Sequence, residues 1–222
     1  MNAYIIQGLG TAIGKGKRGG FRFTTPVDLG AHVIDALLEQ VPSLDPERFD
    51  DIIVGNAVPE AEQGLQMARW ISVRSKLPNS VGGVTVNRYC GSGVETIAMA
   101  SAKVQAGMAD CIIAGGAESM SLVPTMGYRA NPNYAIATEN PDYYIGMGLT
   151  AEEVAVKYDI TREEADEFSY NSHQKALKAI EKGYFANEIA PMEIEEVYYD
   201  ATKGKKASRS YTVKMDEGPR AD

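Results

Sequence analysis

Four side chains in this sequence supply the thiol and imidazole groups that most often act as nucleophiles and bases near neutral pH. They are two cysteines, Cys90 and Cys111, and two histidines, His32 and His173. Metal-binding cysteines and histidines come in closely spaced pairs, and these four are widely separated. Two cysteines are also too few for a disulfide scaffold in 222 residues. We therefore expect no structural metal and a reducing, cytoplasmic compartment.

Cys90 lies within the run Asn87-Arg88-Tyr89-Cys90-Gly91-Ser92-Gly93, between a predicted strand and a predicted helix. A helix N-terminus offers unpaired N–H groups and the positive end of the helix dipole, which favour a thiolate over a thiol. The same N–H groups can donate to the oxyanion of an attacked carbonyl. Cysteine is also a common buried and inert residue, so the local pattern leaves both a nucleophile and a core residue open.

The segments on either side of Cys90 alternate between strand and helix patterns. Apolar runs predict buried strands at residues 4–8, 51–55, 84–89 and 110–116. Apolar stripes at helical spacing predict helices at residues 26–41, 62–76 and 91–105. Thr25 and Pro26 form the expected start of the first helix. This alternation is typical of an α/β fold with a mostly parallel sheet covered by helices.

The pattern changes after about residue 119. Prolines, glycines and asparagines without a sustained period predict a long loop over residues 119–148. Thr-x-x-Glu boxes at Thr150 and Thr161 predict two helix starts, and Phe168 is expected on the inward face of the second helix. A short strand is predicted at residues 192–197, followed by a polar, weakly patterned end.

The overall charge and hydropathy exclude several classes of function. The formal net charge is −8 and the basic residues are scattered, which disfavours a nucleic-acid partner. A local basic cluster at residues 15–18 still leaves room for one phosphorylated small molecule. The absence of a long apolar run argues against a membrane span, and the N-terminus does not have the pattern of a signal peptide.

Four stretches of the sequence, in order, resemble the thiolase family. The run around Cys90 is similar to the family's active-site motif. The runs at residues 110–121, 147–155 (Met-Gly-Leu-Thr-Ala-Glu-Glu-Val-Ala) and 188–191 are similar to later thiolase segments. The resemblance implies an α/β, thiolase-like layered sheet, mostly parallel and flanked by helices, with a helical loop domain. It assigns residues 1–118 to the N-terminal core and residues 119–222 to an incomplete loop domain.

The resemblance also implies roles for individual residues. Cys90 would be the acylated nucleophile, and Met147 would line the channel for the substrate, with ordinary packing as its alternative. Coenzyme A or acyl-CoA would be the substrate, without a permanently bound cofactor, and the expected assembly is a homodimer or a higher homo-oligomer. Glu118 is expected to accept backbone hydrogen bonds rather than to react. Cys111 is expected to be a core residue of a strand.

Two motifs that the thiolase family uses for catalysis, Gly-His-Pro and Cys-x-Gly-Gly, are not found among these 222 residues. Neither His32 nor His173 is followed by proline. The chain by itself is therefore expected to lack turnover. The alternative is a non-catalytic truncated homologue that binds acyl-CoA or serves as a partner subunit. Residues 59–64 resemble degradative 3-ketoacyl-CoA thiolases more than acetoacetyl-specific ones.

Overall fold

The computed structural model describes residues 2–222, which divide into two compact units. The first unit comprises residues 2–128 and 185–218, and the second comprises residues 129–184 and 219–222. The elements of the first unit are α1 (Pro26–Gln40), β1 (Asp51–Gly55), α2 (Met67–Arg74), β2 (Val84–Val86), α3 (Ser92–Gln105), β3 (Ile112–Gly116), β4 (Met192–Asp200) and β5 (Lys205–Val213). The helices of the second unit are α4 (Tyr134–Glu139), α5 (Met147–Lys157) and α6 (Arg162–Glu181).

The first unit is built on a parallel three-stranded sheet in the order β2-β1-β3. Ile53 pairs with Val84 on one side and with Ala114 on the other, which sets the register of the sheet. Parallel strands need crossover connections, and α2 and α3 supply them. The predicted α/β class with a parallel sheet flanked by helices is confirmed.

The two faces of β1 pack against different helices. Ile52 and Val54 are buried in one hydrophobic cluster with residues of α1 and α2, including Ile34 and Ile71. On the other face, Thr96 of α3 is fully buried, and its hydroxyl donates to the carbonyls of Gly93 and Gly115. Alternation of side chains along a strand therefore produces a helix–sheet–helix arrangement around β1.

The predicted strand at residues 4–8 is wrong. These residues belong to no strand, and the side chains of Tyr4, Ile5 and Ile6 are 78%, 81% and 74% exposed. An apolar run becomes a strand only where a neighbouring backbone satisfies its N–H and C=O groups, and the described part of the chain supplies no such neighbour. Residues 2–8 and residues 110–114 line the same cavity, which has a volume of about 450 Å³. β3 is accordingly half-buried rather than buried on both faces.

The polar end of the chain forms a hairpin that sequence patterning missed in part. β4 and β5 pair antiparallel over nine residues each, and Val213 packs with Ala12 and Phe21. This packing places residues 185–218 in the first unit, although the sequence had grouped them with the loop region. The division into a core of residues 1–118 and a loop domain of residues 119–222, which the family resemblance implies, stays a prediction.

The second unit confirms one capping box and contradicts the other. Thr161 caps α6 with reciprocal hydrogen bonds to Glu164, as predicted. α5 begins earlier than predicted, at Met147, so Thr150 lies inside the helix and its hydroxyl donates to the carbonyl of Gly146. Phe168 is 78% exposed, so its predicted inward orientation is wrong. The predicted loop also contains α4.

Candidate active site

The turn between β2 and α3 carries Cys90. β2 ends at Val86, Gly91 is the N-cap of α3, and the Cys90 thiol between them is exposed to solvent. The β-branched strand and the small residues after it place the cysteine at a strand-to-helix corner, as the sequence predicts. This corner lies at the carboxyl end of a parallel sheet, where ligands of open α/β sheets bind.

A strained residue precedes the cysteine. Tyr89 has φ of 45°, in the left-handed region that costs a non-glycine residue of the order of 1–3 kcal/mol. The buried hydroxyl of Ser92 stabilises the turn: it accepts the N–H of Arg88 at 2.9 Å and donates to the carbonyl of Tyr89 at 2.6 Å. Strain of this kind persists where the surrounding contacts determine the conformation.

The first turn of α3 presents free backbone donors. Among the residues that the structure describes, the N–H groups of Cys90, Gly93 and Val94 have no acceptor, while the N–H of Glu95 bonds to the carbonyl of Gly91. No atom lies within 4 Å of the position that a Cβ on Gly93 would occupy, so the space beside this turn is open. Donors in this position can stabilise negative charge on an attacked carbonyl oxygen.

Close backbone packing fixes the start of α3 against the sheet. A Cβ on Gly55, the last residue of β1, would lie 2.6 Å from the carbonyl carbon of Ser92. Only glycine permits this approach, because it has no side chain. The position of the Cys90 turn therefore depends on Gly55, a residue of the neighbouring strand that is distant in the sequence.

A hydrogen-bond network links the loops that follow β1 and β3. Glu118 accepts the N–H of Ala57 at 2.7 Å and the side-chain amide of Gln63 at 2.5 Å. Gln63 is fully buried, and its carbonyl oxygen accepts the N–H of Ser119 at 2.5 Å. The expected structural role of Glu118 is confirmed. No local sequence pattern predicts this role of Gln63, because a glutamine in a short turn resembles any other polar turn residue.

The second cysteine lies in the core beside the sheet. Cys111 immediately precedes β3 and packs against the cluster that contains Ile52 and Val54. Burial raises the pKa of its thiol, since the thiolate loses solvation. Its predicted role as a core residue agrees with this placement.

The two histidines have partners away from Cys90. Nε2 of His32 lies 3.0 Å from the carbonyl oxygen of Pro191, and Nδ1 of His173 accepts the N–H of Arg220 at 3.4 Å. Within residues 2–222, the Cys90 thiol has no histidine partner. Met147, the other predicted site residue, is the first residue of α5 in the second unit and is 73% exposed. Its role in substrate binding stays a prediction.

Residues 2–222 contain neither a cluster of metal-binding side chains nor a helix suited to span a membrane. No group of three or more His, Cys, Asp or Glu side chains is arranged to hold a metal ion. No helix in this part of the chain has both the length and the apolar character that a membrane crossing requires.

The sequence pattern of the thiolase N-terminal domain matches residues 3–222. The chain belongs to the thiolase family. A 3-ketoacyl-CoA thiolase of Bacillus subtilis is 45% identical over 218 residues, which cover 98% of this chain and 55% of that protein. An acetyl-CoA acetyltransferase of Escherichia coli is 37% identical over 234 residues, covering 100% of this chain and 56% of that protein.

The fold of a thiolase is also shown by comparison with a solved structure. The crystal structure of the Bacillus anthracis acetyl-CoA acetyltransferase matches with a TM-score of 0.78 and 32% sequence identity. The match covers 100% of this chain and 56% of that one. The chain thus spans about half the length of the thiolases that it resembles.

Proposed function

We propose that this chain is the nucleophile-bearing part of an acyl-CoA C-acyltransferase of the thiolase type, and that Cys90 carries the acyl group. The observation that supports the proposal is the exposed Cys90 thiol beside three backbone N–H groups without acceptors, at the start of α3. Nucleophile and oxyanion donors then come from a single turn. The two named relatives, a 3-ketoacyl-CoA thiolase and an acetyl-CoA acetyltransferase, fit this chemistry.

In the degradative direction, the Cys90 thiolate attacks the keto carbon of a 3-ketoacyl-CoA. The bond between the keto carbon and the neighbouring CH₂ carbon breaks, and its electron pair stays on the CH₂ carbon. Protonation of the CH₂ carbon then gives acetyl-CoA. The shortened acyl group remains on sulfur as a thioester. The thiolate of free coenzyme A then attacks this thioester, so that the acyl group leaves as acyl-CoA and Cys90 regains its thiolate. In the reverse direction, an acetyl group on Cys90 condenses with a second acetyl-CoA.

Coenzyme A and its thioesters are substrates in this proposal, and no permanently bound cofactor takes part. Met147 contributes to the channel for the pantetheine or acyl chain. Its high exposure leaves an apolar side chain available for such contact.

We further propose that the chain alone acylates but does not turn over. Protonation of the acetyl-CoA carbanion, which cleavage of the carbon–carbon bond of a 3-ketoacyl-CoA requires, needs a positioned acid–base group. His32 and His173 are bonded to Pro191 and Arg220 rather than to the site. The thiol can still exchange with a reactive thioester, because this step needs only a thiolate and a stabilised oxyanion.

The test is acetylation of the purified chain by acetyl-CoA, followed by intact-mass measurement and peptide mapping. We expect one acetyl group on Cys90, removal of that group by free coenzyme A, and no labelling of Cys90→Ala. Cys111→Ala is the matched control and should be labelled as wild type. Acetylation spread over lysines, or located on Cys111, would refute the proposed nucleophile.

A turnover assay separates the proposal from its alternatives. With acetoacetyl-CoA and coenzyme A, we expect no sustained release of acetyl-CoA, and sustained release would contradict the predicted lack of turnover. A non-catalytic truncated homologue would bind acyl-CoA without any transfer to Cys90. The two hypotheses therefore differ in the mass of the chain after incubation.

We also propose assembly into a homodimer or a higher homo-oligomer. The side chains of Tyr4, Ile5 and Ile6 are exposed and apolar, and a cavity lies beside β3. Covering this apolar surface with a second copy of the chain would be favourable. The unpaired edge of β3 adds backbone donors and acceptors to it. Light scattering should give a mass above that of one chain at micromolar concentration, and a monomer at all concentrations would contradict this proposal.

A further inference from the structure

Asn87 makes two hydrogen bonds that join the Cys90 turn to the rest of the sheet. It follows β2 and lies three residues before the cysteine. Its side-chain oxygen accepts the N–H of Tyr89 at 2.9 Å, and its side-chain NH₂ group donates to the carbonyl of Ala57 at 3.0 Å. The first bond is local to the turn, and the second reaches the loop that follows the neighbouring strand β1.

The first bond acts on the strained residue of the turn. Tyr89 has a positive φ of 45°, which a tyrosine adopts only when its surroundings impose it. The bond from Asn87 closes a turn of the kind in which an asparagine side chain replaces a backbone carbonyl. It therefore favours the conformation that directs the chain from β2 into Cys90 and α3.

The second bond connects this turn to a rigid support. The N–H of Ala57 is held by Glu118, which in turn is held by the fully buried Gln63. An amide side chain is required at position 87, because one atom must accept while another donates. Aspartate would retain the acceptor and lose the donor, and alanine would lose both.

We propose that Asn87 is a positioning residue for the acyl transfer reaction, acting on Cys90 through Tyr89 and Ala57. It keeps the sulfur of Cys90 at a constant position relative to the free N–H groups of the first turn of α3. The sulfur can then attack the carbon of a substrate carbonyl while these N–H groups donate to its oxygen. Asn87 itself does not contact the reacting atoms. This inference rests on the function proposed above and adds a residue to it.

The test compares two reactions of the same thiol. Acetylation by acetyl-CoA needs both the sulfur and the oxyanion donors, whereas alkylation by iodoacetamide needs only an accessible thiolate. In a Cys111→Ser background, we expect Asn87→Ala to slow acetylation of Cys90 by about tenfold and to change alkylation by less than about threefold. Asn87→Asp should fall between wild type and Asn87→Ala.

Asn131→Ala is the matched control, because Asn131 is exposed, lies in the second unit and makes no hydrogen bond among the described residues. It should leave both rates unchanged. Thermal unfolding, followed by the fluorescence of the single tryptophan, Trp70, reports whether each variant is folded. If Asn87→Ala does not fold, Asn87→Asp takes its place in the comparison, because aspartate keeps the acceptor for the N–H of Tyr89.

A double-mutant cycle with Tyr89→Gly tests the route of the effect. Glycine adopts positive φ without strain, so Asn87→Ala should slow acetylation less in the Tyr89→Gly background than in the parent. Equal acetylation of parent and Asn87→Ala would overturn the proposal, as would a parallel fall of acetylation and alkylation. Absence of acetylation in the parent chain would instead refute the proposed function.

Discussion

Gly55→Ala should move the start of α3 away from the sheet. The added Cβ would lie 2.6 Å from the carbonyl carbon of Ser92 and 2.8 Å from both its Cβ and its carbonyl oxygen. Ordinary contact begins at 3.4 Å, so the helix start must retreat by about 0.8 Å. Most of these atoms are backbone and cannot rotate away, so the whole first turn of α3 has to shift.

Overpacking of this kind destabilises a folded protein by about 1–3 kcal/mol. For a chain of this size, each kcal/mol lowers the melting temperature by roughly 2–4 °C. We therefore expect Gly55→Ala to melt roughly 2–12 °C below wild type, followed by Trp70 fluorescence. Acetylation of Cys90 should fall as well, because the shift displaces the oxyanion donors.

Gly115→Ala provides the matched control. Gly115 lies in β3 and, unlike Gly55, has no atom within 4 Å of the position of an added Cβ. This variant should melt at or slightly above the temperature of wild type, because alanine restricts the unfolded chain. If Gly55→Ala melts at the same temperature as Gly115→Ala, the close approach of α3 to β1 is not what positions the Cys90 turn.

Three further predictions concern the rest of the molecule. Iodoacetamide should modify exposed Cys90 severalfold faster than Cys111, whose thiol has a pKa raised by burial; equal rates in peptide mapping would contradict this. Thr161→Ala should cost about 1 kcal/mol of unfolding free energy of α6 by circular dichroism, since it removes the N-cap, and no loss would contradict the role of the capping box. The hydrogen bond from Arg209 lowers the pKa of Glu196 below its ordinary 4.5, so the stability that this carboxylate contributes is present above about pH 4.5 and is lost on acidification through the lowered pKa. Urea titrations should accordingly show Glu196→Gln less stable than wild type at pH 7, with a difference that shrinks in acid, and a difference independent of pH would refute the ion pair.

Local sequence patterns predicted most of the elements around the site. β1, α1 and the capping box of α6 were confirmed, because each depends on residues within a few positions of one another: a short apolar run, a Thr-Pro start and a Thr-x-x-Glu box. The apolar run at residues 4–8 predicted a strand that does not form, because strand formation depends on a distant partner. No local pattern predicts β5, because a solvent-exposed hairpin carries little apolar periodicity.

The sequence by itself determined that Cys90 lies between a strand and a helix, since β-branched residues precede it and small residues follow it. Only the tertiary structure decided what surrounds the thiol. Gly55 lies against Ser92, Asn87 bonds to Ala57 across 30 positions, and Glu118 accepts the N–H of Ala57 across 61. Contacts between residues so far apart arise from the packing of the parallel strands and their crossover helices, and no local pattern encodes that packing.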